Sequence, residues 1–163
     1  LSTLSSLRDT RVVPGRRGAH MALERIIYTS RATRPLERSD LEAILASARV
    51  NNAANEVTGY LLYDDGHFIQ AIEGESAVVD ALAERIAADE RHEDFQILAH
   101  EVIAEREFDD WAMGCFHVED ARQHDAQRLQ SAMRDFLADS NDGFRETLGF
   151  FRLFLRFERE RTA

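Results

Sequence analysis

Residues 57–73 read Val-Thr-Gly-Tyr-Leu-Leu-Tyr-Asp-Asp-Gly-His-Phe-Ile-Gln-Ala-Ile-Glu, and this stretch decides the fold. Two apolar runs of strand length flank the triplet Asp64-Asp65-Gly66. An Asp-Gly pair between two such runs is typical of a tight hairpin turn, because both residues tolerate positive φ. The stretch therefore predicts two antiparallel strands joined by a short turn.

Further strands and helices are predicted on both sides of this hairpin. In chain order they are a strand at 25–30, a helix at about 40–51, the two hairpin strands, a helix at 76–89 and strands at 95–104 and 111–118. Ser39 is the expected N-cap of the first helix, with Glu42 completing a capping box. This order predicts an α+β ferredoxin-like sandwich with one added strand and both helices on one sheet face.

The C-terminal segment predicts two helices that cover the opposite face of the sheet. Leu129, Met133, Phe136 and Leu137 form the apolar stripe of one helix. A helix at about 144–160 has two stripes, namely Phe144, Leu148, Phe151 and Leu155, and Phe150, Phe154 and Phe157. One packing surface cannot use both stripes. This helix is expected either to lie wedged between the sheet and its neighbouring helix or to form an oligomer or partner surface.

Composition excludes several classes of protein. A net charge of -10 argues against a protein that binds the phosphate backbone of nucleic acids. Cys115 is the only cysteine, so no intrachain disulfide can form and a cytoplasmic location is expected. No apolar run reaches the roughly 20 residues of a membrane span. The histidines lack metal-ligand spacing, and no nucleophile motif is present, so neither a metal site nor an enzyme is expected.

The first 20 residues differ from the rest of the chain. They mix Ser, Thr and Arg with Pro14, Gly15 and Gly18, and they have neither helical nor strand periodicity. We expect a disordered or vector-derived segment, with Met21 as the natural start. The predicted organisation is therefore this segment at 1–20, one domain at 21–118 and a helical extension at 119–163.

Gln70 is the unusual residue of the hairpin, because it lies within an apolar strand. Phe68, Gln70 and Ile72 share one strand face, so the amide is expected to point inward with its apolar neighbours. A buried amide left without partners costs roughly 1–3 kcal/mol. Either another group of the protein or a bound ligand should therefore meet it.

Five sequence frames, taken together, resemble the BLUF family of blue-light sensors that use flavin. In order they are Ile-Ile-Tyr-Thr-Ser at 26–30, Asn-Asn-Ala-Ala-Asn-Glu-Val-Thr-Gly-Tyr-Leu-Leu-Tyr at 51–63, Gly-His-Phe-Ile-Gln-Ala-Ile-Glu-Gly at 66–74, Asp-Glu-Arg-His at 89–92 and Arg-Glu-Phe-Asp-Asp-Trp-Ala-Met at 106–113. The resemblance runs from about residue 23 to 118 without a gap, and the fold of the family is the ferredoxin-like one predicted above.

The resemblance implies a flavin ring between the two main helices. Ile44 and Ile86 would lie on its two faces, and Asn52 would bind its carbonyl and imide edge. Arg91 and His92 would meet the polar edge or a phosphate. Ser30, Asn51 and Phe68 complete the expected contacts, with Asn51 standing where some members have histidine. Without the resemblance, the two isoleucines read as ordinary core, Asn52 as a helix C-cap, and Arg91 with His92 as a solvated charge cluster.

The resemblance also implies a photocycle. After light absorption Tyr28 would transiently donate an electron and a proton, and Gln70 would rearrange its hydrogen bonds to the flavin. Trp111 and Met113, expected on one face of the last strand, would pass the change to the C-terminal helices. FAD is the expected flavin, with FMN and riboflavin as alternatives.

The expected partners are a second copy of the chain or an effector protein, bound through the C-terminal helices. These helices match no effector domain, so the chain is expected to be a non-enzymatic photoreceptor. Two other interpretations remain open: an interaction scaffold of the same fold without a chromophore, and a redox enzyme that uses flavin.

Overall fold

The computed structural model describes residues 22–117, 123–138, 149–152 and 156. Its elements are β1 (Leu23–Ala32), α1 (Arg38–Ala54), β2 (Thr58–Asp64), β3 (His67–Glu75), α2 (Ser76–Ala87), β4 (His92–Val102), β5 (Gly114–His117) and α3 (Gln123–Ala138). The five strands form one sheet of order β4-β1-β3-β2-β5, in which β2 and β5 are parallel. The predicted α+β ferredoxin-like fold with an added strand is confirmed.

The hairpin of β2 and β3 forms as its turn sequence predicts. Asp65 and Gly66 have φ values of 42° and 80°, and the ladder closes with Asp64 opposite His67. Positive φ at both central residues matches the right-handed twist of the strands that the turn joins. β3 then pairs with β1 on its other edge, and this register sets Gln70 directly opposite Tyr28.

The sheet separates two apolar cores, because successive side chains of a strand point to opposite faces. We call the core beneath α1 and α2 the helix-side core; it includes Ile26, Leu41, Leu45, Leu61, Phe68, Ile72, Val79, Ala83 and Met113. We call the other core the opposite core; it includes Ile27, Tyr60, Leu62, Ile69, Phe108, Phe116, Met133, Phe150 and Phe151. Met133 of α3 and the helical residues 149–152 cover this second face.

Helix α1 begins earlier and ends later than predicted. Its N-cap is Glu37, whose backbone N–H donates to Asp40 Oδ2 at 3.0 Å, so the expected cap by Ser39 and Glu42 is wrong. Asp40 is also held by Arg34, whose Nη1 lies 3.0 Å from Oδ2, and this pair fixes the capping carboxylate. At the other end the C-cap is Asn55. Asn52 therefore lies within the helix and is not its cap.

The last strand is shorter than predicted, and this changes the placement of two site residues. β5 begins at Gly114, so Trp111 and Met113 lie in the segment that precedes it. Trp111 packs against the opposite core, with its ring 5.5 Å from that of Tyr60, whereas Met113 is buried in the helix-side core. The expectation that both side chains share one strand face is wrong. The backbone bends at 112–113 instead of continuing the strand.

The aromatic C-terminal segment is described only in part. Phe150 and Phe151, one from each predicted stripe, are both buried. Phe150 stacks on Phe136 at 4.4 Å between ring centroids, and Phe151 lies 5.8 Å from Phe108. These two residues therefore pack within the chain, as the wedged arrangement requires. The other members of the two stripes, residues 1–20 and Val118 lie outside the described residues.

Candidate functional site

A cavity of about 270 Å³ lies between α1 and α2, above the sheet. Its apolar lining comes from both helices and from two strands: Ile44, Leu45, Ala48, Leu61, Phe68, Leu82 and Ile86. Its polar lining includes Tyr28, Asn51, Asn52, Gln70, Arg85, Asp89, Arg91 and His92. Small-molecule sites usually measure roughly 300–1,000 Å³, so this cavity lies just below that range. It suits a flat ring system alone, and any tail of the ligand would leave through the mouth.

The floor of the cavity carries a chain of three side chains. Tyr28 Oη donates a hydrogen bond to Gln70 Oε1, and Gln70 Nε2 donates to Met113 Sδ at 3.1 Å. All three side chains are buried, and the first two face each other across β1 and β3. Burial raises the pKa of the Tyr28 phenol well above its usual value, so the phenol stays protonated.

Asn52 joins the cavity to the segment before β5. Its Nδ2 donates to the carbonyl oxygen of Ala112 at 2.9 Å, and its side chain is buried at the cavity wall. The amide oxygen Oδ1 accepts a hydrogen bond from none of the described residues. Because an amide oxygen is an acceptor, it suits the N–H group of a ligand in the cavity.

Charged groups surround the mouth of the cavity. Arg91 Nη2 lies 2.6 Å from Asp89 Oδ2, and this hydrogen bond lowers the pKa of Asp89 to about 2. His92 shares a hydrogen bond of 2.9 Å between its Nδ1 and Ser30 Oγ, while burial lowers its pKa and favours the neutral ring. Arg85 on α2 is exposed beside them.

The structure brings most of the sequence-predicted residues together at this cavity. Tyr28, Ile44, Asn51, Asn52, Phe68, Gln70, Ile86, Arg91, His92 and Met113 line it. Ser30 does not line the cavity; it is fully buried and bonds His92, which does line it. Trp111 also lies outside the cavity, in a neighbouring surface groove.

Sequence reasoning missed several lining residues, including Ser47, Arg85 and Asp89. Helical spacing could have found those that lie on the two helices. Ser47 precedes Asn51 by four positions on α1, and Leu82 precedes Ile86 by four positions on α2, whereas Asp89 lies beyond the end of α2. Residues four apart lie on one face of a helix. A residue four positions from an expected flavin contact on the same helix could therefore have been predicted to line the cavity as well.

Three side chains outside the cavity place possible metal-ligand atoms close together. These atoms, from Glu24, Asp80 and His100, lie within 4.8 Å of one another, although the spacing of the three residues along the sequence gives no sign of it. His100 Nε2 lies 2.6 Å from Glu24 Oε2, and this hydrogen bond lowers the pKa of Glu24.

In the part of the chain that the structure describes, no helix is long and apolar enough to cross a bilayer.

The cavity residues fit a flavin. Ile44 and Ile86 supply apolar contacts from two different helices, and the amides of Asn52 and Gln70 supply polar groups at one end. A flat aromatic ring with a carbonyl and imide edge needs this combination of apolar faces and hydrogen-bonding groups.

Comparison with known proteins agrees with this geometry. Residues 23–114 match the family described as BLUF, sensors of blue-light using FAD. The photoactivated adenylate cyclase subunit beta of Euglena gracilis is 38% identical over 92 residues, which are 56% of this chain and 11% of that protein. The chain thus spans about a tenth of the length of the curated relatives it matches.

Two solved structures match over most of their own length. BlsA in its photo-activated state has a TM-score of 0.63 and 28% identity, covering 79% of this chain and 91% of BlsA. BlrB, a BLUF protein in its dark state, has a TM-score of 0.61 and 32% identity, covering 72% of this chain and 91% of BlrB. The chain belongs to the BLUF family and is a blue-light photoreceptor that binds a flavin.

Proposed function

We propose that Tyr28 and Gln70 form the light-driven hydrogen-bond switch of this photoreceptor, and that Met113 passes its state to the C-terminal helices. The observation that carries this proposal is the buried chain of hydrogen bonds from Tyr28 through Gln70 to Met113 at the cavity floor. Asn52, the two isoleucines and the groups at the mouth would hold the flavin beside it.

The bound flavin supplies absorption of blue light and reversible acceptance of one electron. Tyr28 is the proposed electron donor. Because burial raises the pKa of its phenol, an electron that leaves Tyr28 should be accompanied by the phenolic proton. Gln70 Oε1 already accepts a hydrogen bond from that phenol and is placed to receive the proton. Both particles then return to Tyr28, so the cycle has no net chemical change.

Gln70 can relay this event because its two ends differ. In the present arrangement the oxygen faces Tyr28 and the nitrogen faces Met113 Sδ. A thioether sulfur is a weak acceptor and has no hydrogen to donate. If the amide turns over, its oxygen faces the sulfur and two acceptors oppose each other. Rearrangement of Gln70 should therefore displace Met113.

A short segment connects Met113 with the C-terminal helices. Phe108, five residues earlier, packs against Phe151, and Glu107 forms two bonds of 2.9 Å with the guanidinium of Arg152. These contacts support an output in which displacement of the segment changes how the C-terminal helices pack. We propose that the chain signals by contact with an effector protein or a second copy, and that the chain itself is not an enzyme.

We propose FAD as the flavin. Arg85 and Arg91 place guanidinium groups at the mouth of the cavity, where the tail of a bound flavin would leave. Asp89 already pairs with Arg91, so Arg85 is the main candidate for contact with a phosphate. Guanidinium groups suit phosphates, which FAD and FMN carry and riboflavin lacks. The family description also names FAD.

An absorption spectrum before and after blue light tests the switch. The parent protein should show a reversible red shift, while Tyr28→Phe and Gln70→Leu should keep the flavin and lose the shift. Tyr60→Phe, a change of the same kind in the opposite core, should retain the shift. A normal shift in either site variant would refute the assigned switch. A protein that stays colourless after flavin is added would support the chromophore-free scaffold instead.

A further inference from the structure

Arg49 contacts the switch without touching the cavity. It lies on α1, is exposed, and its Nε donates to the backbone carbonyl oxygen of Met113 at 3.0 Å. Its side chain lines the surface groove that also contains Trp111, and it is absent from the lining of the flavin cavity.

Met113 is consequently held at two points. Gln70 holds the side-chain sulfur, and Arg49 holds the backbone carbonyl. Only a few rotatable bonds separate these two points within one residue, and the buried side chain of Met113 has little room to turn about them. A shift of the carbonyl therefore moves the sulfur away from the position in which it accepts from Gln70.

We propose that Arg49 is a positioning residue of the photoswitch: it holds Met113 where its sulfur stabilises the dark orientation of Gln70. This inference rests on the proposed function and assigns a residue that sets how long the light state lasts. Asn52 holds the neighbouring carbonyl of Ala112, but it also lines the cavity. A substitution of Arg49 can therefore remove a bond to the segment 111–113 without removing a residue that lines the flavin cavity.

The expected effect follows from the loss of one hydrogen bond. Without the Arg49 donor, the arrangement in which Gln70 bonds Met113 loses stability relative to the light arrangement. The net contribution of one hydrogen bond changes the ratio of the two states by about fivefold. Arg49 must hold Met113 before its sulfur can accept from Gln70 again, so the barrier to the return carries this loss. The thermal return from the light state to the dark state should slow by up to about fivefold, with the dark spectrum and flavin content unchanged.

Two substitutions separate the hydrogen bond from the charge. In Arg49→Gln the Nε2 amide occupies the same position along the side chain as the arginine Nε, so the donor stays and the charge is lost. In Arg49→Met a methyl group takes that position, so donor and charge are both lost. Arg128→Met, at an exposed position of α3, is a matched control for loss of a surface charge.

The test measures dark recovery by absorption after a blue-light pulse, in the full chain loaded with FAD. Arg49→Met should recover more slowly, by up to about fivefold, while Arg49→Gln and Arg128→Met should stay within about twofold of the parent. Equal recovery of Arg49→Met and the parent would overturn the proposal, and so would equal slowing of Arg49→Met and Arg49→Gln. Loss of flavin in Arg49→Met would also overturn it, because Arg49 would then belong to the binding site. If the parent protein itself shows no reversible red shift, the proposed photoswitch is wrong, and the role of Arg49 is wrong with it. If the parent shows the shift and only the Arg49 variants fail to behave as expected, the role of Arg49 alone is wrong.

Discussion

Glu73→Gln should destabilise the protein strongly without removing its flavin. Glu73 is completely buried on β3. Its Oε1 lies 2.6 Å from both Nε and Nη2 of Arg25, and its Oε2 accepts from the backbone N–H groups of Glu107 and Phe108 at 3.0 and 3.1 Å. The carboxylate therefore holds the segment that follows β4 against the sheet.

The size of the effect follows from these contacts. Removing one partner of a buried ion pair costs about 3–5 kcal/mol. Glutamine keeps the shape of the side chain and one acceptor oxygen, and Arg25 keeps its contact with Glu101 at 2.8 Å. We therefore expect the lower end, about 3 kcal/mol. For a chain of this length that loss lowers Tm by about 6–12 °C.

Urea unfolding followed by circular dichroism measures this loss directly. Glu101→Gln is the matched control, because Glu101 pairs with the same arginine but its side chain is 26% exposed. The control should cost less than about 1 kcal/mol. Equal losses in the two variants would refute the argument that burial makes Glu73 decisive. Flavin content should be unchanged, because Glu73 and Gln70 are three positions apart on β3 and point to opposite sheet faces.

Two other predictions concern the cavity. Met113→Leu keeps the apolar volume but removes the acceptor of Gln70 Nε2, so the red shift should persist. Because the sulfur is a weak acceptor, dark recovery should slow only about twofold; unchanged recovery would show that the sulfur plays no part. Asp89 has a pKa of about 2 against an ordinary 3.8, because Arg91 bonds its charged form, so its stabilisation is present above about pH 4 and is lost as the pH falls toward 2. The free energy of unfolding, measured by urea unfolding at each pH, should therefore fall less in Asp89→Asn than in the parent between about pH 5 and pH 3. Equal falls in the two proteins would show that the bond between Asp89 and Arg91 does not stabilise the fold.

Local sequence predicts the fold well because its signals act over a few residues. The Asp65-Gly66 turn needs positive φ, and the apolar spacing of α1 and α2 marks the face that each helix buries. Both features depend only on neighbours along the chain. The inward direction of Gln70 also follows from the strand period, and the structure confirms its burial.

The features that the sequence could not predict depend on distant partners. The N-cap of α1 is set by Asp40, which Arg34 fixes from the preceding loop. The side of the sheet on which the Trp111 side chain lies depends on two hydrogen bonds from other elements. Gly59 N–H donates to the carbonyl oxygen of Trp111, and Asn52 Nδ2 donates to that of Ala112. An alternating pattern predicts one strand face only if the strand continues, and here it does not.

The backbone of residues 111–113 explains why this segment suits an output. The carbonyl of Trp111 accepts from the backbone N–H of Gly59 at 3.1 Å, whereas those of Ala112 and Met113 accept from the side chains of Asn52 and Arg49. A strand held by backbone bonds on one edge cannot shift without breaking its register. Side chains are rotatable, so a segment held by them can move while the sheet stays intact. Because Asn52 and Arg49 bind through side chains, they can hold Met113 in the arrangement seen here and still let it move when Gln70 rearranges in the proposed switch. The bend between Trp111 and Met113 would then let one displacement reach both cores.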